Sequence, residues 1–195
     1  MEQQGILSEQ VSQALRALLE LSSTAPPVRE NEVVNWFALE CLLSQIDRNS
    51  PLFSPAQIGI EVAVPQLEGR GGKRKHPDVR KDLVVWPSPR MTCWSEEGLP
   101  AHWPMLILEF KVSWWRDDTP TKVSQKLVEG RASDIAWLQD AVAYWDRMLG
   151  FSVAVDARAT PWAIDVARVT AEGVERHWWL ENDGLHGHHF RRAET

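Results

Sequence analysis

Glu109 and Lys111 stand one residue apart inside Met105-Leu106-Ile107-Leu108-Glu109-Phe110-Lys111-Val112, a run that is otherwise apolar. On a strand, residues so spaced leave the same face, while Phe110 packs behind them. A carboxylate and an ammonium are costly to bury in such a run, and are tolerated most readily where they meet a cleft, a metal or each other. Asp82 opens a second apolar run, Asp82-Leu83-Val84-Val85-Trp86, and neighbouring strands can bring its carboxylate beside Glu109. Two hard oxygen donors in a partly open cleft suit Mg²⁺, which keeps several waters and bridges to phosphate. The competing reading of Asp82, Glu109 and Lys111 is a structural ion pair between strands, an expensive way to gain stability in so apolar a setting.

Charge adds a second feature. The chain carries a formal net charge of -6, which argues against coating nucleic acid through bulk charge. Yet Arg70, Lys73, Arg74, Lys75, Arg80 and Lys81 crowd into one short stretch opposed only by Asp78. A localised anionic partner is one reading of that asymmetry, and a solvated hairpin tip the other. Lys122, Gln125 and Lys126 follow the Glu109 strand as weaker candidates for a phosphate contact. His186, His188 and His189, with His177 across an expected turn, bring imidazoles together, but no cysteine or carboxylate completes a recognised metal-binding spacing. Neither GxSxG nor GxxxxGK[ST] occurs, and Gly69 to Gly72 lacks the strand-to-helix setting of a phosphate cradle.

The elements that must position these groups follow from periodicity and breakers. Residues 8 to 22 place Val11, Leu15, Leu18 and Leu19 at helical spacing behind Ser8, and Pro26-Pro27 ends that pattern. Arg29 to Ile46 forms a second helical pattern and Ile58 to Pro65 a strand, followed by a glycine-rich charged loop from Leu67 to Val79. Asp82 to Trp86 and Met105 to Val112 are the next strands, the latter buried on both faces. Residues 121 to 149 read mainly as helix, with Gly150 as a C-terminal stop. Phe151 to Val155 is a strand, and Glu175 to Leu180 with His186 to Arg191 a terminal hairpin about Asn182-Asp183-Gly184. The order of helix, three strands, helix and further strands is a mixed α/β arrangement.

With 195 residues, of which 44% are apolar, the chain is expected to form one domain, spanning 1 to 195. Cys41 and Cys93 have no CxxC partner and read as structural thiols in a reducing cytoplasm. No leader pattern and no apolar run of about 18 residues is present, so a cytoplasmic protein without a membrane span is expected. Eleven tryptophans, two pairs of them adjacent at Trp114-Trp115 and Trp178-Trp179, read mostly as core or edge packing.

Asp82-Leu83-Val84-Val85, about one hairpin upstream of Glu109-Phe110-Lys111, resembles the PD-(D/E)xK nuclease superfamily, the fold of many restriction endonucleases. The resemblance covers roughly residues 29 to 155 and leaves an extra N-terminal helix and a C-terminal hairpin as additions. It implies a restriction-endonuclease-like αβββαβ core, a central mixed sheet flanked by helices. It also implies that Asp82 and Glu109 bind Mg²⁺ or Mn²⁺, that Lys111 positions or polarises the attacking water, and that DNA is cleaved. A family acid on the first core helix maps to Glu32 in preference to Glu40. Pro77-Asp78 spells the family's PD, but Asp82 adjoins the strand and is preferred. Target specificity would then come from a homodimer or a further protein subunit, and a catalytically silent binding module of the same fold is the alternative.

Overall fold

The structure, a computed structural model, describes residues 2–24, 29–67, 78–113, 119, 125–158, 161–181 and 184–188; at 125, 126, 179, 181 and 184–188 only the backbone is described. The chain is α/β, a seven-stranded mixed sheet flanked by helices. Helix α1 (Glu2–Ser22) leads into α2 (Glu30–Trp36), which runs on through a π-helical stretch at Phe37–Leu42 and a 3₁₀ turn at Leu43–Gln45. Strands β1 (Ile58–Pro65), β2 (Asp78–Val85) and β3 (Leu106–Ser113) follow, then a π-helical turn at Gln125–Gly130 that passes into α3 (Arg131–Tyr144). Strands β4 (Leu149–Asp156), β5 (Ala163–Thr170), β6 (Gly173–Glu181) and β7 (Gly184–His188) complete the sheet in chain order. Among the described strands only β3 and β4 pair in parallel, as a crossover through a helix requires; the other neighbours are antiparallel.

Alternation along the strands divides two cores. Leu106, Leu108, Phe110 and Val112 of β3 pack with Val11, Leu15, Val33 and Phe37 of α1 and α2 on one face. Ile107 of β3 joins Trp137, Leu138 and Ala141 of α3, and Trp145 at its end, on the other. β3 is therefore covered on both faces, as its near-continuous apolar run requires. Among the tryptophans, Trp86, Trp137, Trp145, Trp162 and Trp178 are buried. Cys41 and Cys93 are buried free thiols, each pushed up to about 12 chiefly by burial, which leaves them inert at neutral pH. Among the described residues no helix is long and apolar enough to cross a membrane.

Several boundaries differ from the sequence expectation: α1 begins at Glu2 and not at Ser8, and β2 begins at Asp78, within the expected loop, so that Asp82 lies inside the strand and does not open it. The helix expected over 121 to 149 ends at Tyr144, and Gly150 lies inside β4. A Cβ at Gly150 would meet Val142 at 3.3 Å and Leu138 at 3.4 Å. Its glycine serves the close approach of α3 to the sheet rather than a helix stop. β5 is an element the sequence reading did not locate.

Candidate active site at the parting of two strands

β2 and β3 pair only through Leu83↔Leu108, Val84↔Ile107 and Val85↔Leu106. Beyond that point β2 leaves β3, because the alternation of its faces slips at Asp82. Leu83 and Val85 face α1 and α2, Val84 and Trp86 face α3, yet Val79 and Lys81 also lie on the α3 side. On β1 the same slip falls at Glu61, with Ile58 and Ile60 on one face and Val62 on the other. Glu61 adopts φ 53°, a conformation that a non-glycine residue enters at a cost of about 1–3 kcal/mol. A paired irregularity of this kind bends the strands and re-aims side chains.

The opening leaves backbone donors of β3 without a strand partner, and carboxylates take them. Asp82 Oδ2 accepts from Phe110 N–H at 2.6 Å. Glu30, in the first turn of α2, accepts from Val112 N–H through Oε2 at 3.1 Å. Glu109 accepts weakly from Asp82 N–H at 3.4 Å. Lys111 Nζ meets Asp134 Oδ2 of α3 at 2.8 Å and donates to Phe110 O at 2.9 Å. Behind the row Phe110 packs on Phe37, the first residue of the π-helical stretch that continues α2, ring centroids 5.4 Å apart, which fixes the strand against the helix.

Glu109 is 4% exposed and paired with Lys81, itself 4% exposed. Burial pushes the Glu109 carboxyl up to about 7; Lys81 opposes this, while the like charges of Asp82 and Asp134 add to it. Burial also disfavours the Lys111 ammonium, but its hydrogen bond to Asp134 and the charges of Asp134, Glu30 and Asp82 outweigh that and raise it. Asp134 is raised by burial despite Lys111. Perturbation of several neighbouring groups by burial and specific partners is characteristic of functional sites.

The structure brings together Asp82, Glu109 and Lys111, as the spacing suggested. Asp82, rather than the exposed Asp78, is the aspartate beside β3. The helix acid is a correction. Glu32 is exposed and its Oε2 accepts from Arg29 N–H at 2.7 Å, closing the start of α2 as an acid at the third helical position does. Glu40 is exposed too, and Glu30 is the acid that reaches β3. Lys81 is a second correction: expected to contact DNA, it is buried in this structure with its ammonium on Glu109 and not on the surface. Arg80 is exposed on β2, whereas Arg70, Lys73, Arg74, Lys75 and Lys122, and the side chains of Gln125 and Lys126, lie outside the described residues, as does His189. His177 pairs with Asp165 and stands opposite His188 in the ladder.

As a donor set, Asp82 and Glu109 offer hard oxygens from adjacent strands, with Glu30 on the same edge. Among the described residues no three of His, Cys, Asp and Glu stand close enough together to hold a metal ion. Mg²⁺ does not require three, since it binds through one or two carboxylates and keeps its waters. The residues therefore fit such an ion in chemistry, with the ammonium of Lys81 already on one Glu109 oxygen. No family model, curated protein or solved structure matches this chain.

Proposed function

We propose that this chain is a Mg²⁺-dependent phosphodiesterase of the PD-(D/E)xK type acting on DNA. The observation that carries the reading is the row of carboxylates from Glu30, Asp82 and Glu109, with Lys111 beside it, where β2 parts from β3. The element order α2, β1, β2, β3, α3, β4 supports it, because it runs in the αβββαβ order of that superfamily.

Asp82 and Glu109 would hold the ion. When bound it supplies Lewis-acid polarisation of a phosphoryl oxygen and a more acidic water. The chain's own residues then have distinct duties. Lys111 directs its ammonium toward the attacking water and the phosphate, held by Asp134 so that its charge persists. Glu30 and Asp82, by occupying Val112 and Phe110 N–H groups, keep the edge of β3 open instead of closed by a strand. Incubation with plasmid, linear and single-stranded DNA plus Mg²⁺ or Mn²⁺ tests the proposal; cleavage of at least one form is expected, and cleavage of none removes a self-sufficient nuclease.

The second reading is a catalytically silent module of the same fold that docks into a larger complex. The Lys81–Glu109 pair favours it, because a buried ammonium already balances the carboxylate. Calorimetry separates the two: a silent module binds neither Mg²⁺ nor Mn²⁺ in a manner that depends on Asp82 and Glu109.

A further inference from the structure

Lys81 does not reach Glu109 by default. In a regular strand it would share the face of Leu83 and Val85, under α1 and α2; the slip at Asp82, matched by Glu61 at φ 53° on β1, turns it to the α3 side. There its Nζ lies 3.5 Å from the centroid of the Trp137 ring and on Glu109 Oε1. Trp137, a buried residue of α3, is itself 7% exposed and belongs to the core between that helix and the sheet. A ring face and a carboxylate together form a receptor for a cation. The occupant is a four-carbon stem ending in a compact charge, the side chain best able to swing away without moving the backbone.

We propose that Lys81 is a displaceable resident counter-ion of the site: it balances Glu109 in the metal-free protein, and a divalent cation enters by exchange with its ammonium. This rests on the metal-dependent reading of Asp82 and Glu109. It assigns Lys81 a positioning role and makes the affinity for the ion depend on how often the ammonium is away, since apparent affinity scales with the competent fraction. Glu109 is thereby never left buried without a cation, which is the costly state.

Calorimetric titration with Mn²⁺ of the wild-type chain, Lys81→Met and Glu109→Gln provides the first test. Lys81→Met is expected to bind Mn²⁺ about tenfold or more tightly than wild type, because no ammonium competes, and Glu109→Gln to lose binding. Equal or weaker binding by Lys81→Met, or no binding by either chain, overturns the proposal. The second measurement uses the unaltered chain, so it stands even if Lys81→Met does not fold. Amine acetylation read by mass spectrometry should modify Lys81 slowly without metal and about ten times faster at saturating Mn²⁺, and protection that persists overturns the exchange. Exchange without DNA cleavage would keep this inference and remove the nuclease; cleavage with Lys81 still protected would do the reverse.

Discussion

Two buried ionic clusters lie on the α3 face of the sheet, and a single turn of α3 serves both. Asp134 reaches Lys111 at the parting of β2 and β3. Arg131, three residues earlier, reaches β4, β5 and β6 where their ladder is unbroken, short of the register shift at Arg168/Val169, and its guanidinium bonds Ser152 Oγ at 3.2 Å, Ser152 O at 3.0 Å, Asp165 O at 3.3 Å and the Asp165 carboxylate. His177 closes the other side of Asp165. In that cluster every strand is paired, and the Arg131 fork is spent on groups that the ladder holds in place. At the parting of β2 and β3 the ladder is interrupted, and carboxylates stand where a strand would be. Buried ion pairs occur in both places; backbone pairing is what separates a staple from a site. Ionic groups inside an intact ladder hold the fold, whereas those at a break can exchange partners.

The largest expected effect breaks the comparison on the catalytic side. Asp82→Asn, which keeps an acceptor for Phe110 N–H, and Glu109→Gln should each reduce DNA cleavage at least about a thousandfold, roughly 4 kcal/mol of barrier, by removing a charge from the ion's holder. Lys111→Ala should slow turnover about a hundredfold or more with Mn²⁺ affinity retained. Single-turnover rates at saturating Mn²⁺ check both. Equal loss in an Arg131 variant would erase the distinction between the clusters.

Next in size is the effect on the staple. Arg131→Met should lower stability by about 3 kcal/mol or more in urea denaturation, because Asp165 is left buried with only His177. Its Mn²⁺ affinity, measured on the folded fraction, should stay within about twofold of wild type, since Asp134 is untouched. Truncation at the site costs stability too: Glu109→Ala strands a buried Lys81 and should destabilise as well as inactivate.

A pH profile sharpens the contrast. Because Glu109 is raised, mainly by burial, from 4.5 to about 7, the folded protein holds a proton in that window that the unfolded chain has released. Stability from this group is therefore present in full below pH 4.5 and is lost as pH rises through about 7. Thermal unfolding between pH 4.5 and 7.5 should show this decline in the wild type without metal, and a flatter profile in Glu109→Gln. The same slope in both chains would assign it elsewhere.

The smallest effect concerns the basic segment. Neutralising Lys73, Arg74 and Lys75 together should weaken DNA binding without regard to sequence and lower the slope of log affinity against log salt by up to about three. Cleavage at saturating DNA should persist, because phosphate contacts position the duplex while the site does the chemistry. An unchanged slope would leave the segment a solvated hairpin tip.

Much of this was legible in residue spacing. The period of two put Glu109 and Lys111 on one face, and the apolar run around them required burial on both sides of β3. Ile164, Val166 and Arg168 alternate with Asp165 and Ala167, so β5 could have been found, but the charged positions blurred its pattern. Glu30 was harder to find. Two acids open α2, and the one at the third helical position is the capping acid, so elimination would have left Glu30 for the site. Lys81 was not readable, because strand alternation sends it to the opposite face and nothing local marks the slip at Asp82. That slip is visible only when β1 and β2 are set side by side, with Glu61 across from it at positive φ. Physical reasoning from one strand at a time cannot see an irregularity that two strands share.

The claim on which the account depends is that the break between β2 and β3 is a cation site and not a second staple. Anomalous diffraction from a crystal of the wild-type chain soaked in Mn²⁺ tests it most directly. A peak is expected within coordination distance of the Asp82 and Glu109 carboxylates, with the Lys81 ammonium turned away from Glu109 and Arg131 unmoved on Asp165. No peak at the parting, with Lys81 still seated on Glu109, would contradict it.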